Sequence, residues 1–163
     1  MNQLQEVFLE ELADAYSAET QLVKALPKMA RVAQAQELKD AFTAHLGETE
    51  NHVERLKKIF ALFDEKPRAK KCKGMEGLID EGNDVISENK GASAIDAALI
   101  CAAQKVEHYE IAAYGCLRTW AKILDNDQAV NLLQQTLDEE EAADEKLNQI
   151  AERSNQVAVE SVG

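Results

Sequence analysis

The chain of 163 residues carries 30 acidic against 18 basic side chains, a formal charge of −12, and is 45% hydrophobic. That length suits one domain with a sizeable core, and the apolar content excludes a disordered acidic tail. The negative excess excludes non-specific attachment to nucleic acid or to anionic membranes, whose phosphates it repels.

Two prolines and seven glycines are few, and between them apolar residues recur at helical spacing. A first helix is expected over 3–34. Its opening, MNQLQEVFLEEL, is acidic and amphipathic, unlike a signal peptide. Pro27 removes a backbone donor inside that helix and is expected to kink it near Val23. A second helix is expected over 36–63. The long link after it starts with KPRAKKCK (66–73), read as a solvated loop beside the helix C-terminus. Further on, Leu78, Ile79, Val85 and Ile86 predict a short helix over 75–88. Ser93, followed by Asp96, is an N-cap signal for a helix over 93–124. The last helix is expected over 126–152. Periodicity is lost after Ala151, so the bundle is assigned to 1–152 and the tail, 153–163, is expected to fray.

This is an all-α chain. The first two and the last two long helices have short connections and should form antiparallel hairpins. Two hairpins joined by a long crossover carrying a short extra helix is the connectivity of the ferritin-like four-helix bundle. No apolar stretch approaches the ~18–20 residues a transmembrane helix requires. Cys72, Cys101 and Cys116 form no CxxC motif and read as reduced thiols.

The inward stripes carry the chemistry. The first helix aligns Leu12, Ala15, Glu19, Leu22 and Leu26. The second aligns Leu38, Phe42, His45, Glu48 (or Thr49), His52 and Leu56. The third long helix aligns Ile100, Ala103, Glu107, Glu110, Tyr114 and Leu117, and the last Leu133, Leu137, Glu140, Asp144 and Leu147. Each stripe is interrupted near mid-length by acids, and the second also by histidines. Buried carboxylates cost several kcal/mol each unless paired or coordinated. Two divalent metals would cancel four of the six charges, and two trivalent metals all six. Oxygen donors with imidazole suit iron, with manganese the alternative. Residues three or four apart share a helix face, so Glu107/Glu110, Glu140/Asp144 and Glu48/His52 each offer two ligands to one site. Pairing of the acids with Lys24, Arg31, Arg55, Lys105 or Arg118 is the structural alternative.

DAYSAETQLVKALPKMA (14–30), AFTAHLGETENHVERL (41–56), GMEGLIDEGNDVI (74–86), DAALICAAQKVEHYEIAAYG (96–115) and LLQQTLDEEEAADEKL (132–147) together resemble the YciF-type bacterial stress proteins, a ferritin-like family. The resemblance covers nearly the whole chain. It implies a cytoplasmic bundle, a homodimer, and a link to stress. The wider ferritin-like pattern takes a Glu from one helix and a Glu-x-x-His pair from the next, then repeats. Glu19 matches the first Glu and Glu48 the second. Position 51 is Asn, so the histidine falls at His52, and Asp144 stands where the second half would carry a histidine. The extra acid Glu110 is similar to the carboxylate-rich sites of rubrerythrins. His45 is either a rival ligand or a donor to a ligating carboxylate.

Tyr16, Tyr109 and Tyr114 fall near the site and read as core tyrosines whose hydroxyls find partners. Trp120 reads as packing and His108 as a surface histidine. The leading expectation is a dinuclear iron carboxylate protein, with Glu48 and Glu140 (or Glu110) bridging, capable of oxygen or peroxide chemistry. An external electron donor is implied, because the chain holds no four-cysteine module. The alternative is a non-enzymatic stress-induced structural or interaction protein with a vestigial or structural metal site.

Overall fold

The computed structural model describes residues 1–160, and they form five helices. In chain order these are α1 (Gln3–Val32), α2 (Gln36–Leu62), α3 (Lys73–Glu88), α4 (Ile95–Ile123) and α5 (Asp127–Glu160). Helices α1, α2, α4 and α5 make the bundle, and α3 lies in the crossover against α1 and α4. None of the five is long and apolar enough to cross a membrane.

Around the bundle the order is α1, α2, α5, α4, and neighbours run antiparallel. Two contacts fix that sense. Asp96, in the first turn of α4, accepts from the backbone N–H groups of Gln34 and Ala35, both at 2.7 Å, just beyond the end of α1. Glu37, at the start of α2, is gripped by Lys146 (3.2 Å) and by Arg153, far along α5. The crossover is therefore required: a direct turn after α2 would place α4 in the opposite sense.

Several boundaries differ from expectation for local reasons. Helix α4 begins at Ile95 after Ala94, and Ser93 provides no cap. Asp96, read as part of that cap signal, instead satisfies orphan donors in the α1–α2 turn. Helix α1 is, as expected, a single element with Pro27 inside it. Helix α5 continues beyond 152 to Glu160, with Ser154 buried, while 161–163 lie outside the described residues. Asp64 and Asp125 sit in the left-handed region (φ 57° and 55°) just past the ends of α2 and α4. There they reverse the chain, a place usually filled by glycine. Asn126 then accepts from the Ala129 N–H at 3.0 Å and opens α5.

The core has two apolar halves. One gathers Phe8, Leu12, Leu56, Phe60, Leu117 and Leu133. The other gathers Leu22, Leu26, Phe42, Leu99, Leu147 and Ile150. Burying such side chains is worth roughly 1.5–3 kcal/mol each, which holds the polar layer between them in a rigid frame.

The crossover is held tightly. Lys70 N–H donates to Ala13 C=O at 3.1 Å, and Arg68 and Lys70 both reach Glu10. The basic run thus lies along α1, partly paired. The Cys72 thiol is buried, accepts from the Met75 N–H, and stands 3.1 Å from the Tyr109 hydroxyl. Gly74 faces that tyrosine so closely that a Cβ would sit 2.6 Å from its ring. Tyr109 is pinned between Cys72 and Asp14, so it yields little. Gly74→Ala is expected to destabilise the fold by about 1–3 kcal/mol through overpacking, read as a lower urea midpoint with unchanged slope.

Candidate metal centre

Helical periodicity delivers one acid from α1, two histidines from α2, two acids from α4 and one from α5 to the same depth. Glu19, His45, His52, Glu107, Glu110 and Glu140 are all buried, and Glu140 is fully so. They form two groups that share two members. Glu19, His52, Glu110 and Glu140 make one, and His45, Glu107, Glu110 and Glu140 the other; within each, one donor atom per residue lies within 4.8 Å of the rest.

The two halves are built alike. The Nδ1 of His52 stands 2.9 Å from Glu140 Oε1 and 3.3 Å from Glu19 Oε1. The Nε2 of His45 stands 2.9 Å from Glu107 Oε1 and 3.7 Å from Glu140 Oε2. Neither nitrogen is aligned to hydrogen-bond its neighbours, and both lack a partner. The outer nitrogens are held: His52 Nε2 pairs with Glu139 at 2.8 Å, and His45 Nδ1 with Glu48 at 3.0 Å. A carboxylate accepting the outer N–H turns the inner lone pair towards the centre and makes it a better donor. Arg55 secures Glu139 in turn, through both guanidinium nitrogens.

Glu19 Oε2, Glu107 Oε2 and both oxygens of Glu110 and Glu140 also lack partners. Buried polar atoms are almost always satisfied, so this convergence of orphaned oxygens and imidazole nitrogens fits a cation. Among the described residues no lysine or arginine pairs with these four acids: Arg55 goes to Glu139, Lys105 to Glu81, and Arg118 to Gln134.

Charge is crowded in this layer. Burial, then the charges of Glu140 and Glu19, push Glu110 well above the usual carboxylate range. Burial and Glu107 do the same to Glu140. For His45, burial alone would lower the imidazole, but Glu107 and Glu48 outweigh it and hold it well above its ordinary value. His52 is raised likewise, by Glu19 against burial. Burial and Glu19 push the Tyr114 phenol far up, so it stays protonated and donates to Glu19 Oε1 at 2.5 Å.

The expected ligand set is thus rearranged. Both histidines, His45 and His52, enter, one in each half. Glu110 and Glu140 are the shared acids. Glu48 enters neither group: its side chain is 42% exposed and it orients His45. In its place on the inward face stands Thr49, whose hydroxyl bonds the His45 carbonyl. Asp144 also lies outside both groups, at the edge of the layer, 3.2 Å from the exposed His108. Sequence reading missed Glu139, because it falls beside Glu140 rather than a turn away. The EEE run and Arg55 on the facing helix were its traces.

Comparison with known proteins places the chain in a family. Residues 3–160 match the family described as a domain of unknown function, DUF892. The chain is 47% identical over 152 residues to Protein YciF of Escherichia coli strain K12, covering 93% of this chain and 92% of that one. The crystal structure of the E. coli stress protein YciF superposes with a TM-score of 0.91 at 46% identity, over 96% of this chain and 99% of that one. YcfI of Rhodopseudomonas palustris, proposed to be a structural protein, superposes with a TM-score of 0.87 at 41% identity, over 90% and 94%. A Xanthomonas campestris protein, 22% identical, shares the fold at a TM-score of 0.76 over 98% and 97%. By profile, sequence and structure, the chain belongs to the DUF892 family, the family of the stress protein YciF.

Proposed function

We propose that this protein is a dinuclear metal carboxylate protein linked to bacterial stress, with iron as its metal and oxygen or peroxide as its reactant. The observation that carries the reading is the doubled donor set. Two imidazoles, each held from behind by a carboxylate, face two shared acids and one private acid apiece.

Glu19 and His52 would hold one ion, His45 and Glu107 the other, with Glu110 and Glu140 common to both. Four carboxylates balance two divalent charges, and oxygen donors with one imidazole per ion suit iron or manganese. Two adjacent irons, when bound, can supply two electrons together. The chain's own groups set the surroundings. Tyr114 fixes Glu19 by its hydrogen bond and presents a protonated phenol beside the centre. Glu48 and Glu139 accept from the outer N–H groups of His45 and His52 and so keep the inner nitrogens turned towards the centre. Electrons would come from an external donor.

Anaerobic ferrous titration, followed by air, tests this. Two ions per chain and a ferric absorption band after oxidation are expected. Glu139→Ala should weaken loading about 10–100-fold by freeing His52, with helicity kept. The rival reading follows the description of the Rhodopseudomonas relative: a structural bundle whose protonated histidines pair with the acids at 2.9–3.3 Å without metal. Full helicity with no ferrous uptake would establish that rival and defeat the proposal.

A further inference from the structure

A cleft of about 510 Å³ runs from the surface between α2 and α5 to the His45 half of the centre. Ala44 on α2 and Ala142 and Ala143 on α5 line it; a methyl group at each position leaves the gap between the helices unfilled. Deeper in, Leu22, Val106 and Leu147 make its walls apolar. At its inner end lie His45 and Glu107, both more than nine-tenths buried, with Nε2 and Oε2 unpartnered.

Dioxygen and hydrogen peroxide have two heavy atoms each and need no such space. The volume falls in the ~300–1,000 Å³ range of organic-ligand pockets and far exceeds the ~30 Å³ share of one water. Apolar walls favour an apolar body, and the buried donors at the end favour one polar head. Charge narrows the class further. Glu37, Asp40 and Glu48 stand along the cleft, and its one lysine, Lys146, is committed to Glu37 at 3.2 Å. An anion is repelled there by these carboxylates, and a bulky organic cation would lose its hydration against the apolar walls. We propose that the cleft binds an uncharged organic molecule with an apolar body and a single oxygen-bearing head, which sits at the inner end of the cleft, beside the His45 half of the centre. The inference rests on the metal-centre reading, because its inner end belongs to that centre.

Decanol is the probe. Titrated into methyl-labelled full-length protein, both ferrous-loaded under nitrogen and metal-free, it should shift the Leu22, Val106 and Leu147 methyl resonances saturably. Decanoate and decyltrimethylammonium should bind at least about tenfold more weakly, as charge is excluded. Ala143→Phe, on the half-exposed side of α5, should abolish the shifts while leaving ferrous stoichiometry unchanged. Ala44→Leu, at the exposed mouth, is the second obstruction if the first variant does not fold. Shifts that are absent, that survive both obstructions, or that are matched by decanoate or the ammonium probe would overturn the inference. So would methyl shifts that follow protein concentration with dimer formation, since a second copy would then fill the cleft. Loading without decanol binding defeats this inference alone; decanol binding without loading defeats the metal reading alone.

Discussion

Glu140→Gln is expected to abolish metal loading at both halves of the centre and, in the metal-free protein, to raise stability near neutral pH by about 1–3 kcal/mol. Both effects follow from one position. Glu140 belongs to both donor groups, so a neutral amide removes an anionic ligand from each. Its carboxyl is fully buried, with neither oxygen hydrogen-bonded, beside Glu107 and Glu110. Without metal that charge is opposed by burial and by like charge. An amide of the same shape carries no charge and can donate to the neighbouring carboxylates. Isothermal titration with ferrous ion under nitrogen should show two equivalents in the parent and none in the variant. Urea unfolding in chelator should show a higher midpoint for the variant. Glu140→Asp, which keeps the charge, separates charge from shape. Glu107→Ala and Glu19→Ala should each leave one equivalent, because each acid serves one half. A destabilised metal-free Glu140→Gln protein would mean that the carboxylate is paired and contributes to the fold.

How far such a centre could be read from the chain depends on two kinds of information. Stripe membership within a helix is local: a residue's neighbours at three and four positions decide its face. Glu19, Glu107, Glu110 and Glu140 were legible for that reason, as was the hairpin–crossover–hairpin order. The rotation of α2 about its axis is not local. His45, Thr49, His52 and Leu56 make one inward line and are all buried. Glu48 makes nearly as good a line by spacing, yet points half out. Packing of α2 between α1 and α5 chooses between the two, and no periodicity encodes it. Asp144 shows the same limit on α5. A helix turns 3.6 residues per cycle, so a strict heptad drifts across its face, and Asp144 arrives at the α4 edge opposite His108. The Arg55–Glu139–His52 chain joins residues more than 80 positions apart. Only the register between helices places its members together.

The metal-free protein is expected to be most stable in mildly acidic solution and to weaken as the pH rises through neutrality, against the usual trend. His45 and His52 are both held above their ordinary value of 6.5 by carboxylates. Their contribution is fully present below 6.5, where the unfolded histidines are also charged, and is lost as the pH rises through the raised folded values. Glu110 and Glu140 are held above 4.5, so they keep protons in the folded state over a range where the unfolded chain has released them. Each such proton makes stability fall with pH, by about 1.4 kcal/mol per pH unit. Around the centre two groups act in the other direction, as do the exposed Glu10 and Glu37 on the surface. Glu107, which burial would raise, is brought below 4.5 by Glu140 and His45, and Glu139 is lowered by Arg55. Their contribution is present above 4.5 and lost on further acidification. The maximum therefore lies on the acid side of neutrality. Metal inverts the slope, since coordination needs deprotonated carboxylates and neutral imidazoles. Thermal unfolding between about pH 5 and about pH 8 should thus show Tm falling in chelator and rising with manganous ion. A chelated protein whose Tm climbs across that range would show that the inward acids are ionised and paired without metal, and would remove the electrostatic argument for the centre.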